Sequence, residues 1–192
     1  MAGARSKFQT LINSLATTFP DNNVGQITPA ILRDFLDSML RTAFEPGAVL
    51  FGTTPLVVNL TNAWSVIPPA VWTSSAFDAS GDISADQALG RLNGSTALAG
   101  MDYLVYPNVS IEGVVNVPIE VGIFRTGVAP TVALGTITLG GAGRPVSVFF
   151  SNWYQAVAIN EYFQLGLRSP SGNQAVTVNV ARIRMEQKNT WS

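Results

Sequence analysis

The chain has 192 residues, of which 47% are apolar and only 12% are charged, about half the charged fraction of an ordinary soluble domain. It contains no cysteine and no histidine. Disulfides, thiolate metal sites and cysteine nucleophiles are therefore excluded, and the usual general base of enzymes is missing. With 11 basic and 12 acidic residues, the chain also lacks the positive charge that nucleic acids require. We therefore predict no enzyme activity, no cofactor, no metal site and no nucleic-acid partner.

The longest uncharged stretch, residues 46–77, has the length of a membrane-spanning helix but not its composition. Four prolines interrupt it, and Asn59 and Asn62 would leave polar groups unpaired in lipid. The amino terminus lacks the apolar segment of a secretory signal. We therefore expect a soluble, unexported protein with no membrane partner. Its shortage of surface charge predicts contacts between identical subunits.

Residues 1–45 show the three- and four-residue spacing of amphipathic helices. The second predicted helix begins at Thr28 and Pro29, an N-cap followed by proline at the first helical position, and ends before Gly47. A helical hairpin of this size cannot bury its own apolar stripes, so we expect the second stripe to be a docking interface. Its members are Ile31, Leu32, Phe35, Leu36, Met39 and Leu40.

After Gly47 the apolar pattern changes to the two-residue period of strands, with turns rich in glycine, proline and asparagine. The predicted fold class is mainly β: a helical anchor at 1–45, then an antiparallel β-sandwich at 48–188. The predicted strands are 48–51, 56–60, 103–106, 115–123, 131–139, 146–150, 157–167 and 175–185.

Four local features carry more specific predictions. Pro118 is expected at a sheet edge or a bulge, because proline cannot donate to a strand ladder. The apolar phase changes near Ala181, which indicates a bulge or a strand shared by two sheets. The range Ser84–Leu92 resembles a capped helical turn, and Gly140–Gly143 is expected to be a hairpin turn.

Acidic and aromatic residues of the sandwich are the candidate functional groups. Asp102, Glu112, Glu120 and Glu161 are the carboxylates that a glycosidase pair would need, and the sequence leaves their separations open. Glu161 shares the phase of apolar neighbours, so we favour an inward Glu at a subunit contact. Trp153 and Tyr154 are the candidates for contact with a glycan, although aromatic residues in sandwiches more often lie in cores or interfaces.

The segment from Phe19 to Leu40, with the pattern DNNVGQITPAILRDFLDSM at residues 21–39, resembles the amino-terminal region of tailed-bacteriophage virion appendages. The residues from Tyr162 to Arg168, followed by Val176–Met185, are similar to the final strands of jelly-roll or TNF-like trimers found on fibres, spikes and head decorations. The resemblance implies a jelly-roll or TNF-like body and a homotrimer docked on the virion through its helices. The implied partners are further copies of the chain, other virion proteins (capsid, portal, tail or baseplate) and a host surface glycan.

These resemblances lead to one leading hypothesis and three alternatives. The leading hypothesis is a homotrimeric, non-enzymatic appendage of fibre or spike type, located in the virion. One alternative role on the same particle is a capsid decoration protein that stabilises the head. The alternatives of another class are a glycan-binding or glycan-degrading enzyme domain and a free-standing oligomeric lectin.

Overall fold

A computed structural model describes residues 47–77, 83–96, 101–155 and 158–188 of the chain. The predicted helical hairpin at 1–45, with its six docking residues, lies outside this range. The described residues form thirteen strands and one 3-10 turn at Pro69–Val71. The strands are β1 (Gly47–Gly52), β2 (Leu56–Leu60), β3 (Ser65–Val66), β4 (Ser74–Phe77), β5 (Ser84–Asp86), β6 (Arg91–Asn93), β7 (Asp102–Glu112), β8 (Pro118–Arg125), β9 (Gly135–Thr138), β10 (Val146–Phe149), β11 (Asn152–Gln155), β12 (Tyr162–Arg168) and β13 (Gln174–Lys188).

All strand pairs are antiparallel, and they form two sheets. Sheet A has the order β10-β7-β13-β1-β4, with β11 continuing the edge beside β7 and β2 pairing with β13. Sheet B has the order β5-β6-β12-β8-β9, with β3 pairing with β12. The prediction of a mainly β, antiparallel sandwich is therefore confirmed.

The core lies between the two sheets, where alternate residues of each long strand point inward. Sheet A contributes Leu50, Val105 and Ile183, and sheet B contributes Ile119 and Phe163, all of them completely buried. Most predicted strands thus have the correct apolar phase, because burial on one face of a sheet fixes a period of two.

The ends of several strands differ from the prediction. Strand β8 begins at Pro118 rather than at residue 115, and Val115 lies exposed in the preceding turn. Pro118 is the first residue of that strand and pairs with Thr138 of β9, so it lies at a strand start rather than at an edge or bulge. The strand predicted at 131–139 is reduced to β9.

Strand β7 is much longer than its predicted range of 103–106. It continues through Pro107, because the structure leaves the missing N–H of this proline without a strand partner. The carbonyl oxygen of Pro107 accepts a bond from the amide of Phe150, at the break between β10 and β11. In an antiparallel strand the N–H and C=O of one residue point to the same side, so the missing donor falls at this break. Pairing with β13 on the other side of β7 continues through Ile183.

The predicted change of phase in β13 is confirmed as a bulge. The register with β7 shifts between Val178 and Val180, so Val178 and Ala181 both point into the core. The strand remains in sheet A along its whole length.

Two local predictions are wrong. The range Ser84–Leu92 is a hairpin of β5 and β6, in which Asp86 accepts the amide of Leu89 and Gly90 has a φ of 61°. Gly140–Gly143 connects β9 of sheet B to β10 of sheet A, and it is therefore a crossing between sheets and not a hairpin turn. Both segments contain turns, as predicted, but the pairing of the flanking strands makes the first a β-hairpin and the second a connection between sheets.

Candidate functional site

Two of the candidate carboxylates bind arginines at opposite ends of the β8–β12 pair. Glu120 lies opposite Arg168, and the Oε2–Nε distance is 2.5 Å. Glu161, just before β12, binds Arg125 at the other end of β8. Five residues of strand separate the two pairs, about 17 Å of backbone. Glycosidase carboxylates lie within roughly 5–9.5 Å, so Glu120 and Glu161 do not form such a pair.

The other two carboxylates lie at the two ends of β7. Asp102 and Glu112 are its first and last residues, roughly 34 Å apart along the strand. Glu112 accepts the amide of Gly143 at 3.0 Å, which holds the connection between the sheets in place. No group of three Asp or Glu side chains that could hold a metal ion occurs within the described ranges. Among the same residues, no helix is long and apolar enough to cross a membrane.

Trp153 and Tyr154, the predicted glycan residues, lie on opposite faces of β11, because successive strand residues alternate in direction. The indole of Trp153 is 56% exposed on the outer face of sheet A. Tyr154 points inward, and its ring centroid lies 5.1 Å from that of Phe163. The two side chains therefore do not form one stacking surface.

The outer face of sheet A carries further aromatic residues. Phe149 and Tyr106 stack with ring centroids 5.9 Å apart and an interplanar angle of 23°. Phe51 lies across the same sheet and is also partly exposed. We call Phe51, Tyr106, Phe149 and Trp153 the aromatic face. Exposed aromatic side chains gathered on one face of a sheet are typical of a protein interface.

Charged groups lie between these rings. The Tyr106 hydroxyl donates to Glu186 Oε2 at 3.1 Å, and Arg184 Nη2 lies 2.7 Å from Glu186 Oε1. Arg182 lies in register with Asn108 and Phe51, and forms no ion pair with any described residue. Together with Phe149, these polar residues line a depression of about 280 Å³. The aromatic face therefore combines ring surface with an unneutralised guanidinium.

A second concave surface lies on the inner side of β11. It is a groove of about 620 Å³ between residues of the connection that follows β8 and residues 158–159, which precede β12. Its walls include Val128, Val132 and Ile159, and Tyr154 and the Arg125–Glu161 pair also line it. We call this the Arg125 groove. Its volume lies within the range of ordinary small-ligand pockets.

The Arg125–Glu161 pair joins two segments that the sequence keeps 36 residues apart. Arg125 Nε donates to Glu161 Oε2 at 2.7 Å, and Nη2 donates to Oε1 at 2.8 Å and to the carbonyl of Gln155 at 2.7 Å. Glu161 also accepts the amide of Ala158 at 3.2 Å. The hydrogen bonds to Glu161 raise the pKa of Arg125 above its ordinary value, although burial opposes this. Glu161 is buried, as predicted, and it forms an ion pair with an arginine of its own chain. The predicted subunit contact at Glu161 stays a prediction.

Tyr154 is the other titratable group whose pKa is shifted in the groove. Burial raises the pKa of its phenol, while a hydrogen bond with Asn152 and the charge of Arg125 act in the opposite direction. The side chain therefore remains an uncharged phenol at neutral pH. The groove has paired charges and a neutral hydroxyl at its base, with aliphatic side chains around them.

Sequence reasoning missed Arg125, Arg182 and Phe149 as members of these surfaces. Each is an ordinary residue in its local context, and only the strand register places it beside its neighbours. The alternation of each strand was the only available signal. It predicts on which face of a sheet a residue lies, but not which residue lies opposite it. Nothing in the described range tests Ile31 or the other docking residues.

No protein-family model matches this chain, and no curated protein matches it. Among solved structures, it is similar to Eiger TNF from S. frugiperda, at 13% identity and a TM-score of 0.49, covering 77% of this chain and 95% of that chain. It is also similar to murine APRIL, solved at pH 5.0, at 12% identity and a TM-score of 0.40, covering 69% of this chain and 98% of that chain. Both are TNF-family jelly-roll sandwiches. The comparisons give no support to the phage resemblance of residues 21–39.

Proposed function

We propose that this protein is a structural subunit that works as a homotrimer, with the aromatic face buried against neighbouring copies. The observation that carries the proposal is the exposure of Phe149 and Trp153, 61% and 56%, on the same face of sheet A. Fully burying one large apolar side chain stabilises an assembly by about 1.5–3 kcal/mol. A second copy of the chain is the partner that is always present at equal concentration.

The charge distribution supports self-association. Only 15 of the 147 residues after Glu45 are charged, so little of the β-sandwich surface is protected from contact by charge. Arginine and aromatic residues are the types that dominate binding energy at protein interfaces, and both occur on this face. In the assembly, Arg182 would need a carboxylate or carbonyl oxygen of the neighbouring copy, because a buried charge must be paired.

The finer role rests on the resemblance of residues 21–39. We propose that the trimer is an appendage of a bacteriophage virion and that residues 1–45 dock it on a capsid, portal, tail or baseplate protein. The docking contacts are assigned to the apolar stripe that includes Phe35 and Leu36. The β-sandwich projects from the particle, and a host surface glycan is its partner outside the trimer interface. No enzymatic step is part of this proposal.

Light scattering on the full chain at micromolar concentration tests the oligomer. The expected mass is three times the 20.4 kDa of one chain. Phe149→Asp should shift the mass toward that of a monomer, because it places a charge in the contact. Val115→Asp is the matched control, since Val115 is equally accessible in the turn before β8. A monomeric wild-type protein, or equal effects of the two variants, would contradict the proposal.

Attachment is tested with phage particles assembled without this protein. Full-length chain carrying both Phe35→Asp and Leu36→Asp should fail to sediment with the particles, whereas Arg33→Gln should still do so. Separated heads and tails used in place of whole particles distinguish a fibre or spike from a head decoration. If the double variant is still trimeric and still sediments with the particles, the apolar stripe is excluded as the docking contact.

A further inference from the structure

We propose that the Arg125 groove binds an uncharged, mainly aliphatic molecule that carries one hydrogen-bond acceptor. This goes beyond the proposed structural role, because the groove and the aromatic face lie on opposite sides of β11. Tyr154 points into the groove, while Trp153 points to the aromatic face.

The walls of the groove determine the apolar part of the ligand. Val128 and Val132 are 69% and 76% exposed, and Ile159 is 47% exposed on the facing connection. Pro130 and Leu134 continue the same lining. These side chains come from two connections rather than from one strand, so they form a concave surface. An aliphatic chain placed between them would remove apolar area from water on both sides.

The charges at the base exclude an ionic ligand. Arg125 and Glu161 are the only charged residues among those that line the groove, and each neutralises the other at 2.7 and 2.8 Å. A carboxylate or ammonium entering the groove would lose its hydration without finding an unpaired counter-charge. The groove therefore favours a neutral molecule over its charged analogue.

Polar donors orient the ligand. The hydrogen bonds of Arg125 use Nε and Nη2, which leaves the N–H groups of Nη1 as donors. The hydrogen bond with Asn152 lowers the pKa of Tyr154, as a donor to the phenol oxygen does, so the phenol O–H remains a second donor in the groove. A carbonyl or ether oxygen matches this arrangement. A sugar would need many more polar partners than the aliphatic walls provide, so the groove differs in chemistry from a glycan site.

The experiment uses the full chain and a neutral fluorescent ketone, 6-propionyl-2-(dimethylamino)naphthalene, whose emission shifts to the blue in apolar surroundings. We expect saturable binding with a blue shift. Competition at pH 8 should show that 2-nonanone displaces the probe at least about tenfold better than nonanoate, which has the same chain length but a charge, a difference of about 1.4 kcal/mol. Equal displacement by the two compounds, or no saturable binding of the ketone, would overturn the proposal.

A pair of variants locates the binding. Val132→Asp places a charge on the groove wall at a position exposed enough to leave folding intact, and it should weaken binding of the ketone by about tenfold. Val115→Asp, at a position that is 57% exposed and outside the groove, should bind as wild type does. Unchanged affinity in Val132→Asp, or equal loss in both variants, would exclude the groove as the site. Light scattering of the same samples reports the trimer separately, so failure of one proposal is distinguishable from failure of the other.

Discussion

Arg125 holds Glu161 with two of its guanidinium nitrogens, at 2.7 and 2.8 Å, and so fastens the connection before β12 to the end of β8. The Glu161 side chain is 7% exposed and that of Arg125 is 33% exposed. The pair is therefore shielded on the carboxylate side and open on the guanidinium side. Its hydrogen bonds extend the same cluster to Gln155, the last residue of β11, and to Ala158 in the connection before β12.

Glu161→Gln should lower the free energy of unfolding by about 2 kcal/mol, because it removes the charge from a buried, doubly bonded pair. Glu120→Gln is the matched control, since Glu120 is a more exposed carboxylate than Glu161 and pairs with an arginine of similar exposure, Arg168. Its loss should stay below about 1 kcal/mol. Urea unfolding of both variants measures the difference. Equal losses of unfolding free energy in the two variants would show that the burial of Glu161 does not strengthen its pair with Arg125.

Tyr154 should make the protein less stable at alkaline pH. Burial raises the pKa of its phenol in the folded state, so the unfolded chain loses this proton first as the pH rises above about 10. The contribution of the phenol is thus fully present below pH 10 and is lost above it. In Tyr154→Phe, the fall in unfolding free energy between pH 8 and pH 10.5 should be smaller than in wild type. An identical fall in both proteins would contradict this assignment.

Gly52→Ala should strongly destabilise the fold, whereas Gly47→Ala at the other end of β1 should not. A Cβ added to Gly52 would lie 1.9 Å from the backbone oxygen of Val71, which cannot move without the 3-10 turn. A Cβ on Gly47 would meet Met185 O at 3.7 Å, an ordinary contact. We expect a loss of about 3 kcal/mol for the first variant and under about 1 kcal/mol for the second. Thermal unfolding of both proteins checks the contrast.

Arg182→Ala should weaken self-association by about tenfold if the aromatic face is the interface, because arginine at an interface commonly contributes more than 1 kcal/mol. Arg144→Ala, in the exposed connection between β9 and β10, should have no effect. Sedimentation equilibrium over a range of concentrations measures both dissociation constants. Tighter association of Arg182→Ala would indicate that this charge opposes assembly.

The sequence predicted which residues point inward more reliably than where strands begin. Ile119, Val121 and Ile123 alternate as expected, and all are buried. Val115 extends this alternation, and Ile159 extends the alternation at 157–167. Both lie exposed in turns, because apolar residues are also common on protein surfaces. The second half of β7 was not predicted, because a strand can continue through Pro107 only where the neighbouring edge strand is interrupted, as it is between β10 and β11.

The candidate sites were less predictable than the fold. The phase of Glu161 was readable from its neighbours, but its partner Arg125 was not, because the two residues meet only through the pairing of β8 with β12. The same holds for Phe149, Arg182 and Phe51, which come from three strands far apart in the chain. Trp153 and Tyr154 were predicted together as glycan contacts, but their adjacency in sequence concealed that they face opposite ways.

By itself, the sequence determined a charge-poor, two-layer β protein without cysteine or histidine, because composition and two-residue periodicity act through burial at each position. Only the tertiary structure decided that the aromatic residues share one outer face and that Arg125 neutralises Glu161 beside a groove. Both depend on strand register, which is set by the packing of the two sheets and leaves no local trace in the chain. The apolar residues of this charge-poor sandwich are thus distributed over a packed core, the aromatic face and the Arg125 groove.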